Sequence, residues 1–249
     1  MKNYMLTIQY DGTAYNGWQK QKNTKNTIQG ILENKLSILL SEQIELNGSG
    51  RTDRGVHAIG QTANFKTKSK IDPSLFLERL NHILPLDILV TKIEEVDLTF
   101  HSRFSAVKKK YSYHIYYGEK PNVFRRRYVY HCEANLDIEQ MKKASKLLIG
   151  VNDYRGFSSV KDVDKDCVRQ LYDITFVEDK EELILCFFGN GFLYNMVRIL
   201  AGTLLGIGKG ALSIDDIERT LLTKKRDFAG ETLPSKGLVL EKVYYDSRK

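Results

Sequence analysis

Residues 48–58 read Gly-Ser-Gly-Arg-Thr-Asp-Arg-Gly-Val-His-Ala and lie between two segments predicted as short strands, 44–46 and 60–66. Three glycines surround a compact set of charged and polar side chains here. Glycine allows backbone conformations that other residues avoid and lets the chain approach a ligand closely. The stretch opens no helix and no Gly-Lys-Ser/Thr follows, so it is not a phosphate-binding P-loop. A connecting loop and an ordered ligand-binding loop both remain open interpretations.

The segments around this stretch predict the element order β-α-β-β-α-β. Residues 4–10 alternate apolar and polar side chains, as a half-buried strand does. Thr27 can cap a helix whose apolar residues recur at three- and four-residue spacing. Asp72-Pro73 is a strong start for a second helix, and residues 88–96 form the last predicted strand. This order is typical of the split βαβ or ferredoxin-like unit.

The rest of the chain repeats this order loosely, with additional elements. Strands are predicted at 111–117, 128–132, 168–177, 183–188 and 238–244, and helices at 138–148, from about 192, and from about 213. No linker rich in glycine, serine or proline separates the halves. The sequence therefore predicts an α+β protein of two ferredoxin-like halves, 1–105 and 106–249, with mainly antiparallel sheets.

The composition excludes several classes of protein. The 249 residues are 42% hydrophobic and 28% charged with a formal net charge of +7, which is compatible with a polyanion partner. Three cysteines without a Cys-x-x-Cys spacing argue against a disulfide scaffold and a thiolate zinc site. The five histidines lack metal-site spacing, so no metal is predicted. The N-terminal segment is unlike a signal peptide and no apolar run spans a bilayer, which predicts a cytoplasmic protein.

Arg198 stands in an apolar segment, among Met196, Val197, Ile199 and Leu200. A buried arginine without a partner costs several kcal/mol, on the order of the penalty for any desolvated charge. Either the side chain reaches solvent from a partly exposed helix, or it meets a carboxylate. If the partner is Asp53, the guanidinium would keep that carboxylate ionised and hold it in place as a nucleophile or base.

Basic and aromatic side chains are mixed in several places. Residues 100–106, Phe-His-Ser-Arg-Phe-Ser-Ala, run into Lys108-Lys109-Lys110 and Tyr111. Two further basic triplets stand at 125–127 and 224–226. Each cluster alone can be a solvated surface. Cationic and aromatic side chains together also grip phosphates and stack unpaired bases, so the clusters favour an RNA or DNA partner.

Several separated motifs, in the same order along the chain, resemble the TruA family of tRNA pseudouridine synthases. The resemblance covers nearly the whole chain. It rests on residues 50–58, Gly-Arg-Thr-Asp-Arg-Gly-Val-His-Ala, and on residues 10–21, Tyr-Asp-Gly-Thr-Ala-Tyr-Asn-Gly-Trp-Gln-Lys-Gln, followed by Thr-Ile-Gln at 27–29. Later matching segments are 100–106 with Tyr111, Gly-Phe-Leu-Tyr-Asn-Met-Val-Arg-Ile at 191–199, and Gly-Leu-Val-Leu at 237–240.

The resemblance implies the pseudouridine synthase fold and a set of residue roles. Asp53 would be the catalytic aspartate, and Arg198 would pair with it. Arg51 would help to displace the target base from its stack, and Tyr111 would pack against the uracil. The family isomerises uridines at positions 38 to 40 of the tRNA anticodon arm, as a homodimer and without a metal or cofactor.

Further candidate residues follow from the same resemblance and from the basic clusters. Leu238 or Leu240 would supply an apolar wall near the base. The candidate RNA-binding residues are Arg54, His57, Lys108, Lys109, Lys110, Arg125, Arg126 and Arg127. Arg54 stands where the family usually has alanine, Asn152 stands where histidine is expected, and Ser235-Lys236 precedes Gly237 in a loosely matching segment. These departures put in question which uridines are modified.

Two other functions are compatible with the same residues. A non-catalytic RNA-binding module or tRNA chaperone would use the 48–58 stretch as a clamp and the basic clusters for affinity. A nucleoside hydrolase or glycosidase would also cleave a glycosidic bond, but it usually needs a second carboxylate or a metal, and this stretch offers only Asp53. Release of free uracil would favour the hydrolase.

Overall fold

A computed structural model describes residues 1–162 and 164–246 of the chain. Its strands are β1 (Lys2–Tyr10), β2 (Asn47–Gly48), β3 (His57–Thr67), β4 (Ile88–Val96), β5 (Ala106–Tyr116), β6 (Tyr130–His131), β7 (Gly150–Asp153), β8 (Val168–Asp179), β9 (Glu182–Gly189) and β10 (Leu238–Tyr245). Its helices are α1 (Ile28–Leu40), α2 (Pro73–Ile83), α3 (Ile138–Leu147), α4 (Met196–Gly208) and α5 (Asp215–Thr223).

The chain divides into two compact units. The N-terminal unit comprises Met1–Val107 together with residues 239–246, and the second unit is Lys108–Leu238. The sequence predicts a division into 1–105 and 106–249. In the structure residues 239–246 of the final strand group with the N-terminal unit, and β10 pairs parallel with β3.

The sheet of the N-terminal unit is built on β1 and β3. β1 pairs antiparallel with both β3 and β4, which gives the order β4-β1-β3. β1 alternates between buried and partly exposed residues along most of its length, and the buried ones include Tyr4, Leu6, Ile8 and Tyr10. This period of two is what places one face of a strand in the core, and it explains why the strand could be predicted.

The other edge of β3 is shared by two strands. β2 pairs antiparallel with its later part, where Asn47 faces Asn64 and Gly48 faces Ala63. β10 pairs parallel with its beginning, at His57 and Ala58. Both short ladders therefore flank the segment that connects β2 to β3, residues 49–56, which is called the 49–56 loop below.

The two helices of the N-terminal unit begin where their capping residues predict. Thr27 accepts a hydrogen bond from Gly30 N through its hydroxyl at the start of α1, and Ile28, Leu32 and Leu36 form its buried stripe. Asp72 accepts hydrogen bonds from the first backbone N–H groups of α2, with Pro73 at the first helical position. An N-cap of this kind contributes about 1 kcal/mol. With β1 to β4, these helices complete the predicted β-α-β-β-α-β unit.

The strands of the second unit pair mainly antiparallel. β9 pairs antiparallel with β5 and with β8, β8 pairs antiparallel with β7, and the short β6 pairs parallel with β5. α4 is buried almost all round, with eleven of its thirteen residues in the core, and it contacts α3. It begins at Met196, later than the predicted start near 192, because the preceding Asn195 adopts a left-handed backbone conformation with φ of 60°.

The predicted α+β class with mainly antiparallel sheets is confirmed. Residues 44–46 are not a strand, although their pattern predicts one, and the sequence does not predict β7. Within residues 1–162 and 164–246, no helix is long and apolar enough to cross a membrane. In the same ranges, no three His, Cys, Asp or Glu side chains are arranged to hold a metal ion.

Candidate active site

Asp53 stands at the first position of a tight turn in the 49–56 loop. Val56 N donates to Asp53 O at 3.1 Å, and Gly55 has φ of +77°. A turn of type II needs such a φ at its third residue, where a side chain would be strained. Asp53 is half-buried and Arg54 is exposed. The turn therefore holds the Asp53 backbone in one conformation while its side chain keeps partial access to solvent.

Buried polar groups hold the 49–56 loop from the side of the sheet. Ser49 and Gln61 are both fully buried, and Ser49 Oγ donates to Gln61 Oε1 at 2.8 Å. Gln61 Nε2 donates to Gly50 O at 3.0 Å. The hydroxyls of Tyr10 and Thr52 are joined by a hydrogen bond of 2.8 Å. Since a buried polar group without a partner costs about 1–3 kcal/mol, this network favours a single loop conformation.

The segment 12–19 supports the same loop from outside the sheet. Trp18 N donates to Thr52 O at 3.0 Å. At Gly17, where φ is +87°, a Cβ would come within 2.6 Å of Thr52 O, and at Gly12 a Cβ would collide with the backbone of Val56. These close approaches explain the two glycines. The sequence alone predicts no role for these residues, although they lie in the 10–21 segment that carries the family resemblance.

Arg51 is exposed, and its Nε donates to Gln19 Oε1 at 3.1 Å. Gln19 belongs to the same 12–19 segment, so the segment fixes both the backbone of the loop and one of its cationic side chains. The family resemblance implies a role for Arg51, whereas the sequence predicts none for Gln19. Arg51, Asp53 and Arg54 are thus brought together on one short ordered loop.

His57, predicted as an RNA-binding residue, is only 4% exposed. Its Nδ1 lies 3.1 Å from Gly12 N and 3.1 Å from Asp11 Oδ1. Nδ1 therefore faces both the Gly12 N–H group, which donates to it, and the Asp11 carboxylate. His57 is thus buried at the end of the 49–56 loop, where its ring binds the backbone of Gly12 at the start of the 12–19 segment.

Leu240 lies beside the end of the loop. In β10 it pairs with Ala58, and Val239 pairs with His57. Leu240 is fully buried and Leu238 is 6% exposed. Residues two apart on a strand share a face, so both leucines lie on the same side of β10.

Tyr111 lies in the second unit, in β5 opposite Phe187 of β9. It is 7% exposed, and its ring makes an edge-to-face contact with Phe192 at a centroid distance of 5.2 Å. Such aromatic pairs contribute about 0.5–1.5 kcal/mol beyond the area they bury. The ring is therefore held in one orientation by its neighbour.

Arg198 lies in α4 and is half-buried. Its Nε donates to Leu233 O at 2.6 Å and its Nη1 donates to Asn195 Oδ1 at 2.7 Å. Burial raises the pKa of the nearby Tyr113, and the positive charge of Arg198 opposes that shift. These contacts fix the plane of the guanidinium from inside the second unit.

The basic triplets differ in how they are used. Lys108 and Lys110 each lie about 6 Å from the centroid of the Phe188 ring, within the range of a cation–π contact. Lys109 is half-buried. Arg125 Nη2 donates to Glu182 Oε1 at 2.6 Å, whereas Arg126 and Arg127 are exposed.

Comparison with known proteins agrees with the expected family. A family model described as tRNA pseudouridine synthase matches residues 6–105 and 144–246. Among solved structures, a chain titled as part of a Cbf5-Nop10-Gar1 complex aligns over 81% of this chain and 45% of its own, with 10% identity and a TM-score of 0.37. That similarity is too low to bear on the fold.

The curated relatives match over almost their whole length. The tRNA pseudouridine synthase A of Acetivibrio thermocellus is 43% identical and is aligned over 98% of this chain and 100% of its own. The enzymes of that name from Bacillus licheniformis and Bacillus subtilis are 46% and 44% identical, each over 97% of this chain and 98% of their own. The predicted family and its fold are confirmed, and the chain belongs to the tRNA pseudouridine synthase family.

Proposed function

We propose that the protein isomerises uridine to pseudouridine in the anticodon arm of tRNA, at positions 38 to 40, with Asp53 as the reacting carboxylate. Membership of the tRNA pseudouridine synthase family supports the reaction. The position of Asp53 is the observation that supports it as the reacting residue. It is half-buried at the start of a turn, in a loop that hydrogen bonds from the sheet and from the 12–19 segment hold in place. A loop held this way loses little freedom when its residues meet a substrate.

The reaction needs no net input of atoms or electrons. The bond from N1 of the uracil to C1′ of the ribose breaks, the uracil turns, and a bond from C5 to C1′ forms. The proton on C5 is lost and N1 gains one, so substrate and product are isomers. An ionised carboxylate can assist by attacking the substrate or by abstracting a proton.

The remaining roles extend the proposal to both units. Arg51, held by Gln19, displaces the target base from its stack. Tyr111, held by Phe192, packs against the uracil, and Leu240 beside Ala58 supplies apolar surface near it. Moving a base out of its stack costs a few kcal/mol, on the order of one stacking contact with an aromatic ring.

We propose that Arg198 pairs with Asp53. A guanidinium beside a carboxylate keeps the carboxylate ionised and limits its orientations. The contacts of Arg198 with Leu233 and Asn195 support this role, because they fix the guanidinium before any substrate binds. The substitution Arg198→Lys would keep the charge and lose the planar fork of donors. We expect it to lower turnover while tRNA binding is kept.

Three further properties belong to the proposal. The protein acts in the cytoplasm as a homodimer, and it requires no cofactor. A monomeric mass by light scattering at assay concentration would contradict the dimer. Arg54 at the exposed position of the turn, and Asn152 in β7, are the residues through which the choice of uridine would differ from that of relatives.

To test this proposal, a tRNA transcript is incubated with wild type or a variant, and pseudouridine is then mapped in the transcript at single-nucleotide resolution. Wild type is expected to modify one or more of positions 38 to 40, and Asp53→Asn to modify none while binding the transcript as tightly as wild type. Asp179→Asn, which changes an exposed aspartate at the end of β8, is the matched control and is expected to be fully active. Turnover by Asp53→Asn would refute the role of Asp53.

The same assay separates the alternative functions. An RNA-binding module or tRNA chaperone would bind the transcript and leave every uridine unchanged in wild type. A hydrolase would release free uracil and leave an abasic ribose. Neither alternative accounts for the match to the tRNA pseudouridine synthase family model over both parts of the chain.

A further inference from the structure

A basic groove lies in the N-terminal unit, next to the 49–56 loop. Its walls are the segment 19–27, helix α1 and the segment 43–47, and its volume is about 980 Å³. The lysines that line it are Lys20, Lys22, Lys25 and Lys35. Nothing in the proposed catalytic mechanism uses these residues.

The segment that carries the first three lysines is ordered. Gln21 and Thr24 form a β-bridge, which closes a tight turn with Lys22 at its tip. Asn16 N donates to Asn26 O at 2.9 Å and Ile28 N donates to Gly17 O at 3.2 Å, so both ends of the segment are anchored. Lys22 and Lys25 are therefore presented from a fixed backbone.

The lining of the groove carries four lysines against two carboxylates, which gives it a net positive charge. The two carboxylates are Glu33 and Glu45. Glu33 is 7% exposed and is 2.9 Å from Lys20 Nζ, so its charge is compensated at the base of the groove. Lys22 and Lys25 are both exposed. An anionic ligand is the partner that this distribution favours.

The side chains of the groove discriminate between bases and phosphates. Apart from the lysines and carboxylates, the lining consists of amide, hydroxyl and aliphatic side chains, and it contains no aromatic ring. Proteins that bind unpaired bases stack them on aromatic rings, whereas lysine, amide and hydroxyl groups bind phosphate oxygens. The lining therefore suits a nucleic-acid backbone rather than stacked bases.

The groove borders the loop that carries the proposed reacting group. Gln19 lines the groove and accepts the hydrogen bond from Arg51 Nε, and Asn47, at the other wall, is followed by Gly48 and the 49–56 loop. The groove and the 49–56 loop therefore share the contact between Gln19 and Arg51 and are joined through Asn47 and Gly48.

We propose that this groove binds the phosphodiester backbone of the substrate RNA next to the target uridine, with Lys22 and Lys25 contacting phosphates. The inference rests on the proposed function, since it takes the RNA substrate from it. It adds a binding site that fixes the direction in which the RNA leaves the 49–56 loop. Phosphate contacts position an RNA and do not read its sequence.

The test is the affinity of the full-length Lys22→Ala/Lys25→Ala variant for tRNA transcript between 50 and 200 mM salt. The association constant falls as salt rises, and each lost phosphate contact is expected to reduce the steepness of log K against log salt by about 1. The double variant is therefore expected to have a slope shallower by about 2. Its affinity near 100 mM salt is expected to be about tenfold lower than that of wild type.

The control is Lys68→Ala/Lys70→Ala, which removes two exposed lysines of the same unit that do not line the groove. It is expected to lower the slope by much less than the groove variant. Lys22→Gln/Lys25→Gln serves as a second variant that keeps polar side chains without the charge, and thermal melting verifies the folding of each variant. Equal slopes for the groove and control variants would overturn the proposal. Failure of wild type to form pseudouridine would instead refute the proposed function, whatever the slopes.

Discussion

The indole ring of Trp18 fills the space that a side chain at position 48 would occupy. A Cβ on Gly48 would collide with Trp18 Nε1 and lie 2.6 Å from Cε2. Trp18 is 1% exposed, and its backbone N–H also binds Thr52 O. The ring thus lies between the end of β2 and the loop that carries Asp53, and it couples the packing of the core to the position of the proposed catalytic residue.

Substitution of Gly48 by alanine is expected to destabilise the protein and to reduce activity together. Added volume in a packed core costs about 1–3 kcal/mol, since a neighbour must shift. The neighbour here is Trp18, and its displacement moves Thr52. Urea unfolding measures the stability, and single-turnover pseudouridine formation measures the activity.

Gly191→Ala is the stability control for this substitution, because a Cβ at position 191 would meet only the Arg169 side chain, at 3.7 Å. We expect Gly191→Ala to change the free energy of unfolding by less than about 1 kcal/mol. If Gly48→Ala lowered the free energy of unfolding no more than Gly191→Ala does, the expected displacement of Trp18 would be refuted.

Gln19 is expected to act as a positioning residue for Arg51. Gln19→Leu removes the acceptor at 3.1 Å from Arg51 Nε, and Gln19→Glu keeps an acceptor oxygen. A hydrogen bond of this kind contributes about 0.5–1.5 kcal/mol, so Gln19→Leu is expected to lower kcat about 2- to 10-fold. We expect KM to change little and Gln19→Glu to restore kcat. A change in KM alone would assign Gln19 to RNA binding instead.

The buried carboxylate of Glu33 is expected to matter for stability. Glu33 accepts hydrogen bonds from Gln29 Nε2 at 3.0 Å, from Leu46 N at 3.1 Å and from Lys20 Nζ at 2.9 Å. Glu33→Ala leaves the buried Leu46 N–H without its acceptor, and we expect a loss of about 2–3 kcal/mol of unfolding free energy. Glu33→Gln keeps one acceptor oxygen and should cost less. Equal urea midpoints for the two variants would contradict this reading.

The same contacts explain why residues 44–46 were predicted to be a strand and are not one. Ile44 and Leu46 are buried, so their pattern is that of a strand. However, Ile44 N donates to Ser37 Oγ and Leu46 N donates to Glu33 Oε1, both on α1. The N–H groups that would pair with a neighbouring strand therefore donate to side chains of α1 instead. Pairing with β3 begins only at Asn47. Local periodicity reports burial but not which group accepts a backbone hydrogen bond.

A similar limit applies to the site. Residue types and the resemblance pointed to Asp53, Arg51 and Leu240, and the last strand was predicted almost to its ends. Its parallel pairing with β3 joins residues about 180 positions apart in the chain. No local pattern encodes that partner, so the position of Leu240 beside Ala58 required the structure. The contacts of Trp18 with Thr52 and of Gln19 with Arg51 also join separate segments, so no local pattern predicts them.

Tyr113 is expected to make stability depend on pH in alkaline solution. Burial raises its pKa well above the ordinary value of 10.0, and its hydroxyl donates to Pro234 O at 2.7 Å. Above pH 10 the unfolded chain loses this proton while the folded chain keeps it, so the free energy of unfolding falls as pH rises. One such proton corresponds to about 1.4 kcal/mol per pH unit. Tyr113→Phe is expected to make the measured slope above pH 10 shallower by up to this amount.

The basic triplet at 125–127 is expected to separate into a structural residue and two RNA-binding residues. Arg125 Nη2 binds Glu182 Oε1, and the same oxygen is 2.7 Å from His114 Nδ1. Arg125→Ala removes one partner of a half-buried ion pair, and we expect a loss of about 1–2 kcal/mol of unfolding free energy. Arg126 and Arg127 are exposed, so their replacement should leave the urea midpoint unchanged.

RNA affinity is expected to depend on Arg126 and Arg127 rather than on Arg125. Arg126→Ala/Arg127→Ala should weaken tRNA binding and lower its salt slope by about 2, because each arginine neutralises one phosphate. Glu182→Gln is the matched control for Arg125, since it removes the charge of the ion pair from the other side without changing the basic surface. We expect Glu182→Gln to reproduce the destabilisation and to leave the salt slope at its wild-type value. If Arg125→Ala instead changed the salt slope without changing stability, Arg125 would be an RNA contact and the ion pair with Glu182 would be incidental.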